Sequence, residues 1–515
     1  MRYRNPVISG FHPDPSVCRV GRDYYLVTST FEYFPGVPVF HSRDLVHWRL
    51  LGHCLTRPEQ LPLAACPPSG GIYAPTIRHQ GGRFYMTTTN TTGGGNFLVH
   101  AEDPAGPWSD PVWIEQPGID PSLYFAEDGA AYFQSTGKGD GIYQSGVDPA
   151  TGRLLSEPRL IWRGTGGRYP EAPHLYRIHG RYYLMIAEGG TEYGHMETIA
   201  RADDPWGPFE PCRRNPILTH AGHARQRSPI QGTGHADLLE AHDGSWWLVF
   251  LAFRPAGGRF HHLGRETFLA PVSWDADGWP VVGADGGVDL EMEADGLAPH
   301  PWQAEPVRDD FDRPDLRPCW NFLRNPYPKD WSLSARAGWL RLAGSPVTLD
   351  DQDSPAFVGR RQQHFDCRVA ALLEFDPADG EEGGLTVLAN NTHHYEIALT
   401  RQDGTRMVIV RRRIGDLCAV VGRSPAPDGP VTLAIDADRA RYTFSFASPG
   451  SDFRTLAVGA TRYLSTEVAG GFTGVYLGMY ATGNARRCIA PADFDWFDYT
   501  PGIRVGTGPS RVGTG

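Results

Sequence analysis

Three acidic residues head copies of one recurring phrase, and carboxyls that meet in a fold can move protons. The phrase runs from a polar or acidic start through an apolar step and a Gly-bearing turn to an aromatic pair, and it occurs five times in the first half of the chain. The copies begin at Asp14 (DPSVCRVGRDYYLV), Tyr73 (YAPTIRHQGGRFYMT), Asp120 (DPSLYFAEDGAAYFQ), Glu171 (EAPHLYRIHGRYYLM) and His235 (HADLLEAHDGSWWLV). Each start lies ten to twelve residues before its aromatic pair, so the five occupy nearly equivalent places. Cleaving a glycosidic bond needs one carboxylic acid to protonate the leaving oxygen and a second carboxylate to act as base or nucleophile. A third carboxylate beside the acid disfavours its ionisation, and Asp120 is the candidate for that role. Taken alone, Asp-Pro-Ser reads as a turn or strand start; three acidic starts in matched register favour the chemistry.

The elements that would position these residues are short strands. Alternation on both sides of each Gly-bearing turn gives strand, hairpin, strand. Further strand phrases lie between the copies, at 39–52, 101–114 and 202–212. A hairpin plus outer strands at a period of roughly fifty residues is the layout of a β-propeller blade, so residues 1–300 are expected to form five blades. Equivalent places on innermost strands then converge on the axis. A Pro-rich stretch marks a linker over 301–308, and alternating segments from 309 to 500, such as RMVIVRRR and YTFSFAS, read as a β-sandwich. The RVGTG repeats in 501–515 read as a flexible tail. The fold class is therefore all-β.

With 48 Lys+Arg against 59 Asp+Glu, the chain has a net charge of −11 and suits no polyanionic partner, nucleic acid included. No apolar leader opens the sequence and its longest apolar stretch is too short for a membrane span, which gives a cytoplasmic expectation. Eight scattered cysteines without a CxxC pair are read as free thiols. The glycine clusters at 137–141 and 164–168 lack the context of a phosphate loop and are read as turns. The three arginines at 411–413 are read as a solvated strand face.

The run NPVISGFHPDPSVCRVGRDYYLVTSTFEYFPGVPVFHSRDLVHW, with GGIYAPTIR, GIDPSLYF, YPEAPHLY, GTGHADLLE and LGRETFLAPVSWDADGWPVV, resembles glycoside hydrolase family 43. Within it the chain is similar to the β-xylosidases and bifunctional xylosidase/α-L-arabinofuranosidases, over nearly its whole length. The resemblance implies a five-bladed propeller, a concanavalin-like sandwich and an inverting, exo-acting hydrolase that releases xylose from short β-1,4-xylooligosaccharides. An α-L-arabinofuranosidase is the rival, and a non-catalytic glycan-binding protein the reading of a different class. By motif, Asp14 is implied as general base, Glu171 as general acid and Asp120 as the residue that tunes and orients the acid. Arg265 would contact sugar hydroxyls, although a strand-bridging salt bridge also accounts for an arginine there. His235 would orient the base or hold a calcium ion through water, against the plainer reading of a core histidine. No cofactor is otherwise implied, and no Asp-rich calcium loop occurs. Phe31 and Tyr73 would wall the first sugar, or else belong to the core. Phe472, in the sandwich, would close one end of the pocket. Relatives of this kind imply a homo-oligomer.

Overall fold

The computed structural model describes residues 2–502 except 138, 223–224, 284–285 and 294; the rest of the expected tail lies outside the described residues. Each of the five phrases forms an antiparallel hairpin. These are Ser16–Val20 with Asp23–Val27, Thr76–Gln80 with Arg83–Asn90, Ser122–Phe125 with Ala131–Thr136, Glu171–Ile178 with Arg181–Glu188, and Gln231–Glu240 with Trp246–Phe253. Two outer strands extend every hairpin, giving five separate sheets of four strands, with Leu218–Thr219 as a fifth strand in the fourth sheet. These are blades 1 to 5 of a β-propeller, and apolar side chains such as Leu98, Leu123 and Phe133 fill the spaces between neighbouring blades.

The start of the chain closes the ring. Arg2–Arg4 pairs with Glu291–Glu293, and the Asn5 side chain bonds both the N–H and the carbonyl of Leu269 in blade 5. Further along, the His12 N–H donates to the Arg265 carbonyl at 3.0 Å. Residues 5–12 therefore run beside the blade 5 strand that follows Arg265, which makes Asp14 its neighbour across 251 positions.

Residues 297–306 form neither helix nor strand. Beyond them a six-stranded sheet, containing Ala356–Arg361, Tyr476–Thr482 and Glu382–Asn390, packs on a second sheet built around Cys367–Glu374 and Ala492–Pro501. Leu385, Val387, Leu433, Phe444 and Leu477 fill the space between them. The arginines at 411–413 are not simply a solvated face: Arg411 bridges the buried carboxylates of Glu382 and Glu396, with 2.9 Å to the latter. Burying two acids on one sheet face requires a cation between them, and Arg411 supplies it.

The two domains are joined by backbone. Tyr33–Phe34 of the propeller pairs with Phe322–Leu323, and Val475 and Thr466 donate N–H bonds to the carbonyls of His262 and His261 at 3.0 and 3.1 Å. A Cβ on Gly474 would stand 2.3 Å from the Leu263 oxygen, so only glycine permits this approach. The sandwich is thereby pressed against the segment that leads into Arg265.

Candidate active site

At the axis the five phrases align on a step that contains Pro in four of them: Asp14-Pro15, Ala74-Pro75, Asp120-Pro121, Ala172-Pro173 and His235-Ala236. Asp14, Asp120, Ala172 and His235 share a left-handed backbone, with φ of 56°, 53°, 54° and 50°. Glu171 and Tyr73 stand one residue ahead of this register, a small correction to the matched placement that spacing gives. In blade 4 the strand pairing is irregular between Glu171 and His174. Such an irregularity re-aims the side chain at a strand start without changing the hairpin behind it.

Asp14 is buried and surrounded by donors. Ser29 gives it a hydroxyl bond of 2.5 Å, Arg265 Nη1 an ion pair of 3.1 Å, and His235 Nδ1 lies 3.5 Å from the same oxygen. Burial would push this carboxyl up, but the Arg265 charge, His235, the Ser29 bond and His195 together hold it below the usual carboxylate range. The imidazole of His235 is held below its ordinary range by burial, against the pull of Asp14. Arg265 is fixed in turn by Thr191 Oγ1 at 2.7 Å, from the turn after the second strand of blade 4.

Glu171 shifts the opposite way. Burial and the Asp14 charge, reinforced by Glu192 and opposed by Arg265, raise its pKa to about 7. Asp120 accepts the Ala172 N–H at 3.2 Å, which ties it to the residue next to Glu171. Burial and the charges of Glu171 and Asp14 push Asp120 up as well. Neighbouring carboxyls of this kind titrate as a pair that resists double ionisation.

Around these groups stand Phe31, Tyr73 and Phe472, with ring centroids 5.1 Å (Phe31–Tyr73), 5.9 Å (Phe31–Phe472) and 6.2 Å (Tyr73–Phe472) apart. The Arg265 guanidinium lies 5.8 Å from the Phe31 ring and 5.5 Å from the Phe472 ring. Phe472 reaches the propeller from the sandwich, held by its N–H to Ser69 Oγ at 2.8 Å and its carbonyl to Arg265 Nη2 at 3.4 Å. All eight residues singled out from the sequence thus belong to one constellation. The residues missed are Ser29 and the Thr191–Glu192 turn, which lie outside the repeated phrase, and an axial pair beneath the ring.

That pair is Arg78 and Asp237. The second layer of the axis holds Ser16, Thr76, Ser122, His174 and Asp237, and the Arg78 guanidinium enters it. Asp237 accepts from Arg78 Nη1 (2.8 Å), Ser16 Oγ (2.7 Å), Val17 N–H (3.0 Å) and Tyr176 OH (2.6 Å). Arg78 Nη2 faces His174 Nδ1 at 2.9 Å. This arrangement does not fit a calcium ion in the second layer. Calcium asks for six to eight oxygens; the carboxylate of the second layer is already fully bonded, and a fixed cation occupies that layer. Among the described residues no group of three or more His, Cys, Asp or Glu is placed to hold a metal.

A propeller whose axial carboxylates are shifted in opposite directions, Asp14 down and Glu171 up, beside a cluster of aromatic rings has the pair of groups that glycoside hydrolysis requires. Residues 3–280 match the family model for glycosyl hydrolases family 43, and residues 308–500 that of the β-xylosidase C-terminal concanavalin A-like domain. The chain belongs to glycoside hydrolase family 43. It is 48% identical to a non-reducing end α-L-arabinofuranosidase of Bacteroides ovatus, over 96% of this chain and 94% of that protein. A solved structure of a family 43 protein from the Bacteroides ovatus xyloglucan locus superposes with a TM-score of 0.95 at 47% identity, covering 97% of this chain and 100% of the other. A xylan β-1,4-xylosidase from Bacillus halodurans gives a TM-score of 0.91 at 35% identity, with 97% and 100% covered.

Proposed function

We propose that this chain is an exo-acting, inverting glycosidase that removes one pentosyl unit from the non-reducing end of short oligosaccharides, with Asp14 as general base and Glu171 as general acid. The opposed shifts of these two groups at one propeller axis carry the reading. At neutral pH a single displacement needs an ionised base and a protonated acid at once. Glu171 gives its proton to the glycosidic oxygen as that oxygen leaves the anomeric carbon with the bonding pair. Asp14 takes a proton from the water that attacks the opposite face. The cycle leaves Glu171 ionised and Asp14 protonated, and exchange with solvent resets both. Arg265 holds Asp14 through Nη1 and, with one Nη2 N–H directed at the Phe472 carbonyl, has its second Nη2 N–H for a sugar hydroxyl. Asp120 orients Glu171 through the Ala172 N–H and shares its proton. His235 fixes the base.

Two pentosyl groups are in play. The name of the Bacillus halodurans relative supports β-xylosyl units of xylooligosaccharides; that of the 48% identical relative supports α-L-arabinofuranosyl units. Aryl β-xyloside and aryl α-L-arabinofuranoside turnover, measured side by side, ranks them. Turnover of neither would end the proposal. Early NMR spectra of the wild type on xylobiose should show α-xylose first, and β-xylose first would exclude inversion.

A further inference from the structure

Tyr169 stands two residues ahead of Glu171, is 59% exposed, and has a φ of 52°. A bulky aromatic in left-handed backbone is an outlier that persists only where its surroundings over-determine it. The surroundings are explicit. The fully buried carboxylate of Glu188 accepts the N–H groups of Thr165 and Gly167 at 3.0 and 2.8 Å, and the hydroxyls of Thr165 and Thr198 at 2.9 and 2.7 Å. Arg168 adds a second tie, donating from Nη2 to the Gly189 carbonyl at 2.9 Å and to Glu192 at 3.1 Å, while Gly189 N–H donates to the Arg168 carbonyl at 2.7 Å. The segment before the acid is thus bound to the turn whose Thr191 holds Arg265.

This clamp presents the Tyr169 ring to solvent, with the Arg168 guanidinium 5.5 Å from its centroid. Packing gives no reason for such a ring. Chemistry does: the proton of Glu171 goes to the oxygen that joins the cleaved sugar to the next one, so the surface flanking Glu171 meets that next sugar. We propose that Tyr169, rimmed by Arg168 and Glu192, is the binding platform for the leaving-group sugar. The ligand is a neutral pyranose whose C–H face lies on the tyrosine ring and whose hydroxyls bond to the Arg168–Glu192 pair. This rests on the glycosidase reading above and specifies the other half of the substrate.

The test compares leaving groups with and without a pyranose ring, using xylobiose and β-xylosyl fluoride, or α-L-arabinofuranosyl-1,3-xylose and α-L-arabinofuranosyl fluoride if arabinofuranose is preferred. Tyr169→Gly suits the left-handed backbone and removes only the ring; Tyr169→Phe keeps it. In Tyr169→Gly the ratio of disaccharide to fluoride kcat/KM should fall about tenfold, the worth of one aromatic contact. In Tyr169→Phe that ratio should stay near wild type. An unchanged ratio in Tyr169→Gly, or equal loss on both substrates, overturns the proposal. A wild type that hydrolyses neither fluoride nor disaccharide would instead remove the glycosidase reading beneath it.

Discussion

Asp14 and Glu171 respond to pH in opposite senses because burial and the Asp14 charge raise Glu171, whereas at Asp14 the Arg265 charge and its fellow donors outweigh burial. The sign of each limb follows. Glu171 works as an acid while protonated, so kcat/KM should fall as pH rises through about 7. Asp14 works while ionised, and its lowered pKa places the acid limb below the usual carboxylate range. A basic limb near the pKa of a free glutamate would refute the assignment. Asp120 lets the pair with Glu171 keep one proton to higher pH than a lone carboxyl could, so Asp120→Asn should move the basic limb downward; an unmoved limb removes Asp120 from that role. Asp14→Ala and Glu171→Ala should each cost about 10²–10⁴-fold in kcat on xylobiose. The same field has a stability consequence. A group whose folded pKa is raised contributes stability below its unfolded pKa and loses it as pH climbs through the folded one. Glu171→Gln, never charged, should therefore melt a few degrees above wild type at pH 8 and much closer to it at pH 5. Equal melting differences at both values would show that the charge is not being forced on a buried site.

Five blades follow from an aromatic pair repeated behind a Gly-bearing turn, and that pattern is legible in the sequence because hairpin strands need it locally. The carboxylates at the phrase heads are legible for the same reason, since the axis is where strand starts meet. A count to the aromatic pair, loose at ten to twelve residues, is silent on the one-residue offset of Glu171; only the prolines show it, since Pro173 aligns Ala172 and not Glu171 with Asp14 and Asp120. Arg78 and Asp237 are equally silent, because each reads as an ordinary polar residue in an alternating strand until the second layer of the ring closes around it. Their pairing makes a strong claim about the inner strands. Arg78→Met leaves the buried Asp237 charge without its cation and should destabilise by about 3–5 kcal/mol, with Asp237→Asn added to the same chain restoring part of it. Because that cation belongs to the protein, neither a chelator nor added calcium should move the wild-type melting temperature. A calcium-dependent rise of several degrees would establish a metal on the axis and overturn the misfit argued from the bonded state of Asp237.

At the scale of the whole molecule, the sandwich adds an aromatic ring to the constellation on the propeller axis. Phe472 crosses from it to within 5.9 Å of Phe31 and 6.2 Å of Tyr73, and its carbonyl touches the arginine that holds the base. The crossing depends on Gly474, which lets two backbones meet, and on the Glu467–His261 contact of 2.7 Å beside it. Phe472 is 36% exposed, so its neighbours cover it only in part, and the proposed function sets the sugar against the remainder. An aromatic wall at the end of the pocket does two things at once: it binds the terminal ring and it stops a longer chain from sliding past. Phe472→Ala should lower kcat/KM on the aryl pentoside by about tenfold, with most of the loss in KM, because ring contact is lost while both carboxyls stay in place. The same variant should release some disaccharide from xylotetraose, where the proposed exo action has the wild type release single pentose units, and chromatography of early products reads the difference. If Phe472→Ala gives pentose alone at wild-type KM, the wall lies elsewhere and the sandwich serves the propeller only as a support.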